Sequence, residues 1–148
     1  MEDVRLRPAT LADDDFLYDL HRRTLGAVIE ATWGPWDDAV QRQFHQAWFK
    51  PETVEIVLVG GQPAGMIQAG PADAATFYVS RIEIAPEVQD RGVGTTLLRL
   101  LVDRAKEAGA SAVELHVLEL NRARELYERL GFEVVGVEHP RVWMRLGL

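Results

Sequence analysis

The residues best placed to do chemistry lie in the run Ile82-Glu83-Ile84-Ala85-Pro86-Glu87-Val88-Gln89-Asp90-Arg91-Gly92-Val93-Gly94-Thr95-Thr96-Leu97-Leu98. A strand-like apolar alternation meets a proline, then a turn with two glycines, then an apolar helical stripe. A helix that starts there leaves its first four N–H groups without internal partners and carries partial positive charge at that end. Gly92 and Gly94 let the oxygens of an anion come close to those amides. Such an arrangement suits phosphate. Two familiar phosphate motifs nevertheless fail. The dinucleotide fingerprint G-x-G-x-x-G asks for a third glycine where Leu97 stands. The P-loop asks for Gly-Lys-Ser/Thr, and here Val93 and Thr95 follow the glycines. What is left is Gln89-x-x-Gly92-x-Gly94 with Arg91 inside it. On these residues alone, a turn that binds nothing and a nucleotide-binding regulator both stay open.

A second set of residues follows one strand later. In Asn121-Arg122-Ala123-Arg124-Glu125-Leu126-Tyr127-Glu128-Arg129-Leu130-Gly131-Phe132, Asn121 suits a helix start, Ala123, Leu126, Tyr127 and Leu130 make one apolar stripe, and Gly131 suits the end. By spacing alone, Tyr127 is a core tyrosine. Three further ionisable residues sit on strand patterns. Glu83 alternates with Ile82 and Ile84, so it faces away from them, toward solvent, a cleft or a helix. Glu114 and His116 share one face of the next strand, and a common face with Glu83 would bring the three together.

The elements that must position these residues can be read from periodicity and turn residues. Residues 4–7 alternate and end at Pro8. Thr10 suits the cap of a helix carrying Leu11, Phe16, Leu17, Leu20 and Leu25, and residues 26–36 read as a break closed by Gly34-Pro35. Asp37 suits the cap of a second helix with Val40, Phe44, Ala47 and Trp48 on one face, where Phe44 and Trp48 are expected in the core; Pro51 stops it. Trp33 and Trp36 flank the Gly-Pro break and are the expected walls of a substrate pocket. Strands follow at 54–59, 64–69 and 76–85, with Gly60-Gly61 as a hairpin turn. A helix over 92–108, a strand over 112–117, a helix over 121–130 and an antiparallel pair at 132–137 and 142–146 complete the order β-α-α-β-β-β-α-β-α-β-β. Only the unit from Thr76 to Val117 is a parallel crossover. The expected fold is therefore α/β of the α+β kind, with a mixed, mostly antiparallel sheet flanked by helices.

Composition narrows the partners. The chain's 148 residues have room for one domain, 1–148, with a core that needs neither metal nor disulfide. No cysteine is present, so a thiol nucleophile and thiolate metal sites are excluded. A formal net charge of −7 argues against a nucleic-acid surface. No apolar run at the start resembles a leader and none reaches membrane-spanning length, so the cytoplasm is the expected compartment.

The loop Gln89-x-x-Gly92-x-Gly94 resembles the acyl-CoA pyrophosphate loop of the GNAT N-acetyltransferase superfamily, and residues 121–132 are similar to that family's closing helix, Asn…Ala-x-x-(apolar)-Tyr-x-x-x-Gly-Phe. The spacing from Asn121 to Tyr127 is one residue shorter than usual, while Ala123 keeps its place four before the tyrosine. The likeness covers about residues 79–146, with residues 1–75 matching only in element order. It implies acetyl-CoA as cosubstrate, no metal, and direct transfer of the acetyl group to a primary amine of a small molecule or peptide. The alternative is a catalytically silent acyl-CoA sensor on the same fold. By the same resemblance, the coenzyme lies between the strands at 76–85 and 112–117, which start parallel and splay. It is held by Ile82, Ile84, Gln89, Asp90, Arg91, Gly92, Val93, Gly94, Thr95 and Asn121. Tyr127 protonates the leaving thiolate, Glu83 is the candidate base, and Trp33 and Trp36 border the acceptor. A homodimer is compatible with this reading.

Overall fold

The computed structural model describes residues 3–148; Met1 and Glu2, on which the reading of the chain's start partly falls, lie outside the described residues. In order, the elements are β1 (Val4–Pro8), α1 (Asp14–Trp33), α2 (Asp38–Trp48), β2 (Glu55–Val59), β3 (Gln62–Pro71), β4 (Thr76–Ile84), α3 (Val93–Glu107), β5 (Ala112–Leu118), α4 (Ala123–Arg129), β6 (Glu133–Glu138) and β7 (Arg141–Gly147). The expected order of strands and helices is the one observed. Seven strands form a sheet in the order β1-β2-β3-β4-β5-β7-β6. The β4–β5 pair is parallel, with Thr76–Val79 opposite Ala112–Leu115, while β1–β2, β2–β3, β5–β7 and β6–β7 are antiparallel.

The chain divides into two compact units, and β3 and β4 each pass from one into the other. The first holds the described residues up to Gln68 together with Arg81–Arg91. Its core includes Leu17, Leu20 and Ile29 of α1, Ile56 and Val57 of β2, and Met66 and Ile67 of β3. Ahead of α1, Arg7 donates to both carboxylate oxygens of Asp13 at 2.9 and 2.8 Å. Together with the Thr10 amide, that bond holds the Asp13 carboxyl below the usual carboxylate range. At the hairpin between β2 and β3, Gly60 and Gly61 have φ of 59° and 83°, the left-handed pair that a two-residue turn requires.

Two expectations in this unit are corrected. The break expected over 26–36 is confined to the residues after Trp33, because α1 runs straight through Gly26. A mid-helix glycine costs only about 1 kcal/mol, which the burial of Ile29 one turn on can offset. The helix ends instead at Gly34, whose φ is +98° and whose N–H donates to the Glu30 carbonyl at 2.9 Å. On α2, the Asp37 carboxylate caps the helix by accepting from the Val40 N–H at 3.2 Å, as its position suggested. The apolar stripe, however, does not turn inward: Phe44 is 59% exposed, Trp48 is half-buried, and the buried residue of α2 is His45. Polar pairing and ring stacking select that face. His45 Nε2 lies 2.7 Å from Asp14 Oδ1, and the ring stacks on Phe49 and meets the edges of Tyr18 and Trp48.

The second unit holds Ala69–Ser80 and Gly92–Leu148. Phe77 and Val79 alternate inward along β4, as do Val113, Leu115 and Val117 along β5 and Val142 and Met144 along β7. From α3, Val93, Leu97, Leu98, Leu101 and Ala105 are buried at helical spacing. α4 is shorter than expected and begins at Ala123, two residues after Asn121.

Gly65 carries a prediction for the first unit. A Cβ built there would stand 2.5 Å from the Glu83 carbonyl oxygen and 3.5 Å from the Ile84 Cα, so β3 can approach β4 here only as glycine. Gly65→Ala should cost about 1–3 kcal/mol, the usual range for overpacking. Urea denaturation measures it, and an unchanged midpoint would show that the two strands separate freely at this point.

Candidate functional site

The glycine turn takes the form that an anion cradle needs. After Ile84 a single 3-10 turn, Pro86–Val88, leads into the loop, and the Gln89 side-chain amide donates back to the Ile84 carbonyl at 2.9 Å. The Arg91 guanidinium donates to the Glu87 carbonyl at 3.2 Å, and the Glu87 carboxylate pairs with Arg23 of α1. Asp90 and Gly92 have φ of 61° and 81°. Gly92 therefore stands in the left-handed region at the cap of α3, where its carbonyl accepts from the Thr96 N–H and hydroxyl at 3.1 and 3.0 Å. A Cβ added at Gly92 would meet nothing within 4 Å, so its glycine serves the backbone conformation rather than local packing. The first turn of α3 contains no acidic residue. The amides of Val93, Gly94 and Thr95 precede the first intrahelical bonds, and an anion is the natural partner for them. The Val93 side chain is buried, so only its backbone can serve a ligand.

Asn121 accepts from the Ala123 N–H at 2.9 Å through its side-chain oxygen, so that oxygen is committed to starting α4. Four residues into the chain beyond Ala123, Tyr127 is buried, its ring centroid 6.0 Å from that of Phe132. Burial pushes its phenol up to about 12, so it keeps its proton at neutral pH. Also in the second unit, the Tyr78 hydroxyl lies 2.5 Å from His116 Nδ1, and His116 packs 4.8 Å from Trp143. Glu114 pairs with Arg145 at 3.4 Å.

Glu83 turns to a helix, one of the three surroundings its alternation allowed. It is 4% exposed, and its Oε2 lies 3.1 Å from Nδ1 of His21 on α1 and 3.5 Å from Arg81. Its partners are thus in the first unit, while Glu114 and His116 have the separate partners just described. Arg81 lies over the Trp48 ring at 4.1 Å, and the Trp36 ring sits 6.0 Å from His21, with Arg22 on it at 5.3 Å. Of the two expected pocket tryptophans, the structure brings Trp36 to this cluster and leaves Trp33 56% exposed. Ile82 and Ile84 flank Glu83 half-buried on β4. Sequence reading missed His21. The sole signal for His21 was a histidine beside Leu20 on a helix otherwise read for its leucines.

A sequence model of the acetyltransferase (GNAT) family matches residues 15–132, most of the chain. The chain belongs to the GNAT family. Among curated relatives, this GNAT chain is 42% identical over 65 residues to the [Ribosomal protein bS18]-alanine N-acetyltransferase of Haemophilus influenzae, covering 44% of this chain and 43% of that protein. It is 35% identical over 95 residues to the mycothiol acetyltransferase of Beutenbergia cavernae, covering 62% of this chain and 32% of that one. The stretches matched in five curated relatives span 26–43% of those proteins' own lengths. In fold, the GNAT chain is similar to the PaiA N-acetyltransferase of Thermoplasma acidophilum in complex with coenzyme A, with TM-score 0.78, 16% identity and 99% of each chain covered. Among the described residues, no helix is long and apolar enough to cross a membrane.

Proposed function

We propose that residues 1–148 act as one acetyltransferase domain that moves the acetyl group of acetyl-CoA directly to a primary amine of a small molecule or peptide. The observation that carries this reading is the loop Gln89–Thr95: a left-handed Gly92 opening α3 on amides with no acid in the first turn. The coenzyme pyrophosphate is held there by the amides from Arg91 to Thr95. Asn121 contributes its side-chain NH2, since its oxygen is already bonded.

The reaction sets three requirements. An acceptor amine is mostly ammonium at neutral pH, with an ordinary pKa of about 10.4 for a lysine-like group. It must lose a proton before its lone pair can attack the thioester carbon, and Glu83 belongs to the base that draws the proton off. As the C–N bond forms, charge grows on the carbonyl oxygen, and main-chain N–H groups of β4 near Ile82 and Ile84 are the fixed donors for it. The C–S bond then breaks, and Tyr127 hands its proton to the departing thiolate. Trp36, beside His21, borders the acceptor.

Calorimetric titration with acetyl-CoA tests the coenzyme half of the proposal; no heat at high micromolar concentration rejects it. A panel of amines with thiol release as the readout tests the transfer. Coenzyme binding with no turnover on any amine assigns the chain to a sensor role instead.

A further inference from the structure

We propose that His21, on α1, is the group that receives the acceptor's proton, with Glu83 behind it as the positioning residue that fixes its tautomer. The inference deepens the acetyltransfer reading and rests on it. The Glu83 carboxylate is almost fully removed from water, and a buried carboxylate needs donors. Two groups reach Oε2: His21 Nδ1 at 3.1 Å, and Arg81 at 3.5 Å, which is ion-pair rather than hydrogen-bond distance. Nδ1 also lies 3.3 Å from the Arg81 guanidinium, which can only donate. If Nδ1 carried no proton it would accept from Arg81, and Glu83 would keep no good hydrogen bond. With a proton on Nδ1, the histidine donates to Glu83, and Arg81 supplies the balancing charge from its place over Trp48. The second arrangement satisfies the buried acid.

That tautomer has a chemical consequence. With Nδ1 protonated, the lone pair of a neutral imidazole is on Nε2, and Nε2 is the base. Imidazole is the side chain most often used as a general base near neutrality. Burial of Glu83 further argues that it acts through another group, since its side chain is 3% exposed against 10% for His21. The ammonium gives one proton to Nε2, forming an imidazolium held by the Glu83 carboxylate, and the freed amine attacks the thioester. The second amine proton replaces the one Tyr127 gives to the thiolate, and the imidazolium returns its proton to solvent.

The tests separate this inference from its foundation. Long-range 1H–15N correlation spectra of the His21 imidazole should show the proton on Nδ1; a proton on Nε2 in the neutral ring overturns the inference, whatever the activity. In turnover, His21→Gln, which can still donate to Glu83, should lower kcat by about 10²–10⁴ while acetyl-CoA affinity stays within about twofold of wild type. The pH dependence of kcat should change with it, and added imidazole should restore part of the rate to His21→Ala. Normal kcat and pH profile in His21→Gln would mean that His21 is only a packing residue. Wild-type protein that binds coenzyme but turns over no amine rejects the transfer reading, and this inference with it.

Discussion

Gly92→Glu is expected to abolish coenzyme binding, with titration of acetyl-CoA into the variant giving no heat at concentrations that saturate the wild type. Two effects combine. The backbone at position 92 has φ of 81°, a conformation that costs an ordinary residue about 1–2 kcal/mol. A carboxylate at the start of α3 also places negative charge on the amides that should meet the pyrophosphate, in a first turn that otherwise contains no acid. A loss of at least about a hundredfold in affinity, roughly 2.8 kcal/mol, is the minimum expected. Gly92→Ala separates the two effects. Its methyl group has open space, so it suffers the backbone strain alone, with a lower unfolding midpoint and affinity within about tenfold of wild type. Equal losses in both variants would make the strain the whole cause, and normal binding by Gly92→Glu would put the pyrophosphate elsewhere.

The loop was legible in the sequence because its determinants are local. Two glycines, a proline and the stripe of Leu97, Leu98 and Leu101 specify a turn and a helix whatever surrounds them. The β-α-β order was legible for the same reason, since strand alternation and the Gly60-Gly61 turn are short-range signals. What failed to appear depends on partners far along the chain. Gly26 looked like a break, yet tertiary burial of Ile29 carries α1 past it. The stripe on α2 looked inward-facing, yet the bond from His45 to Asp14, 31 residues away, sets the rotation of that helix. Likewise, nothing near His21 announces Glu83, which is 62 residues distant. Alternation showed that Glu83 faces away from its isoleucines and shares its face with Arg81, and only the fold says that a histidine of α1 meets it there.

Tyr127→Phe should leave acetyl-CoA affinity within about twofold of wild type and lower kcat by about 10²–10⁴, the usual contribution of a positioned proton donor. The phenol holds its proton throughout the neutral range, as a donor to the departing thiolate must, while burial, which raises it to about 12, makes it a weaker acid than an exposed tyrosine. The same shift has a consequence for stability. A folded-state value above the unfolded value of about 10 means that folding favours the protonated phenol. Its contribution is complete below about pH 10 and is lost as pH rises through about 12, by an amount on the order of 3 kcal/mol. The phenylalanine variant has no phenol to ionise. Its stability should therefore fall less steeply than that of wild type between about pH 10 and 12, against a background set by Tyr18 and Tyr78, which are also raised by burial. Denaturant titrations across that range, set beside kcat at neutral pH, divide the roles. A flatter alkaline limb with normal turnover would make Tyr127 a core residue and send the search for the proton donor to another side chain. A flatter limb with turnover reduced as stated means that one buried phenol serves both the packing of the second unit and the departure of the thiolate.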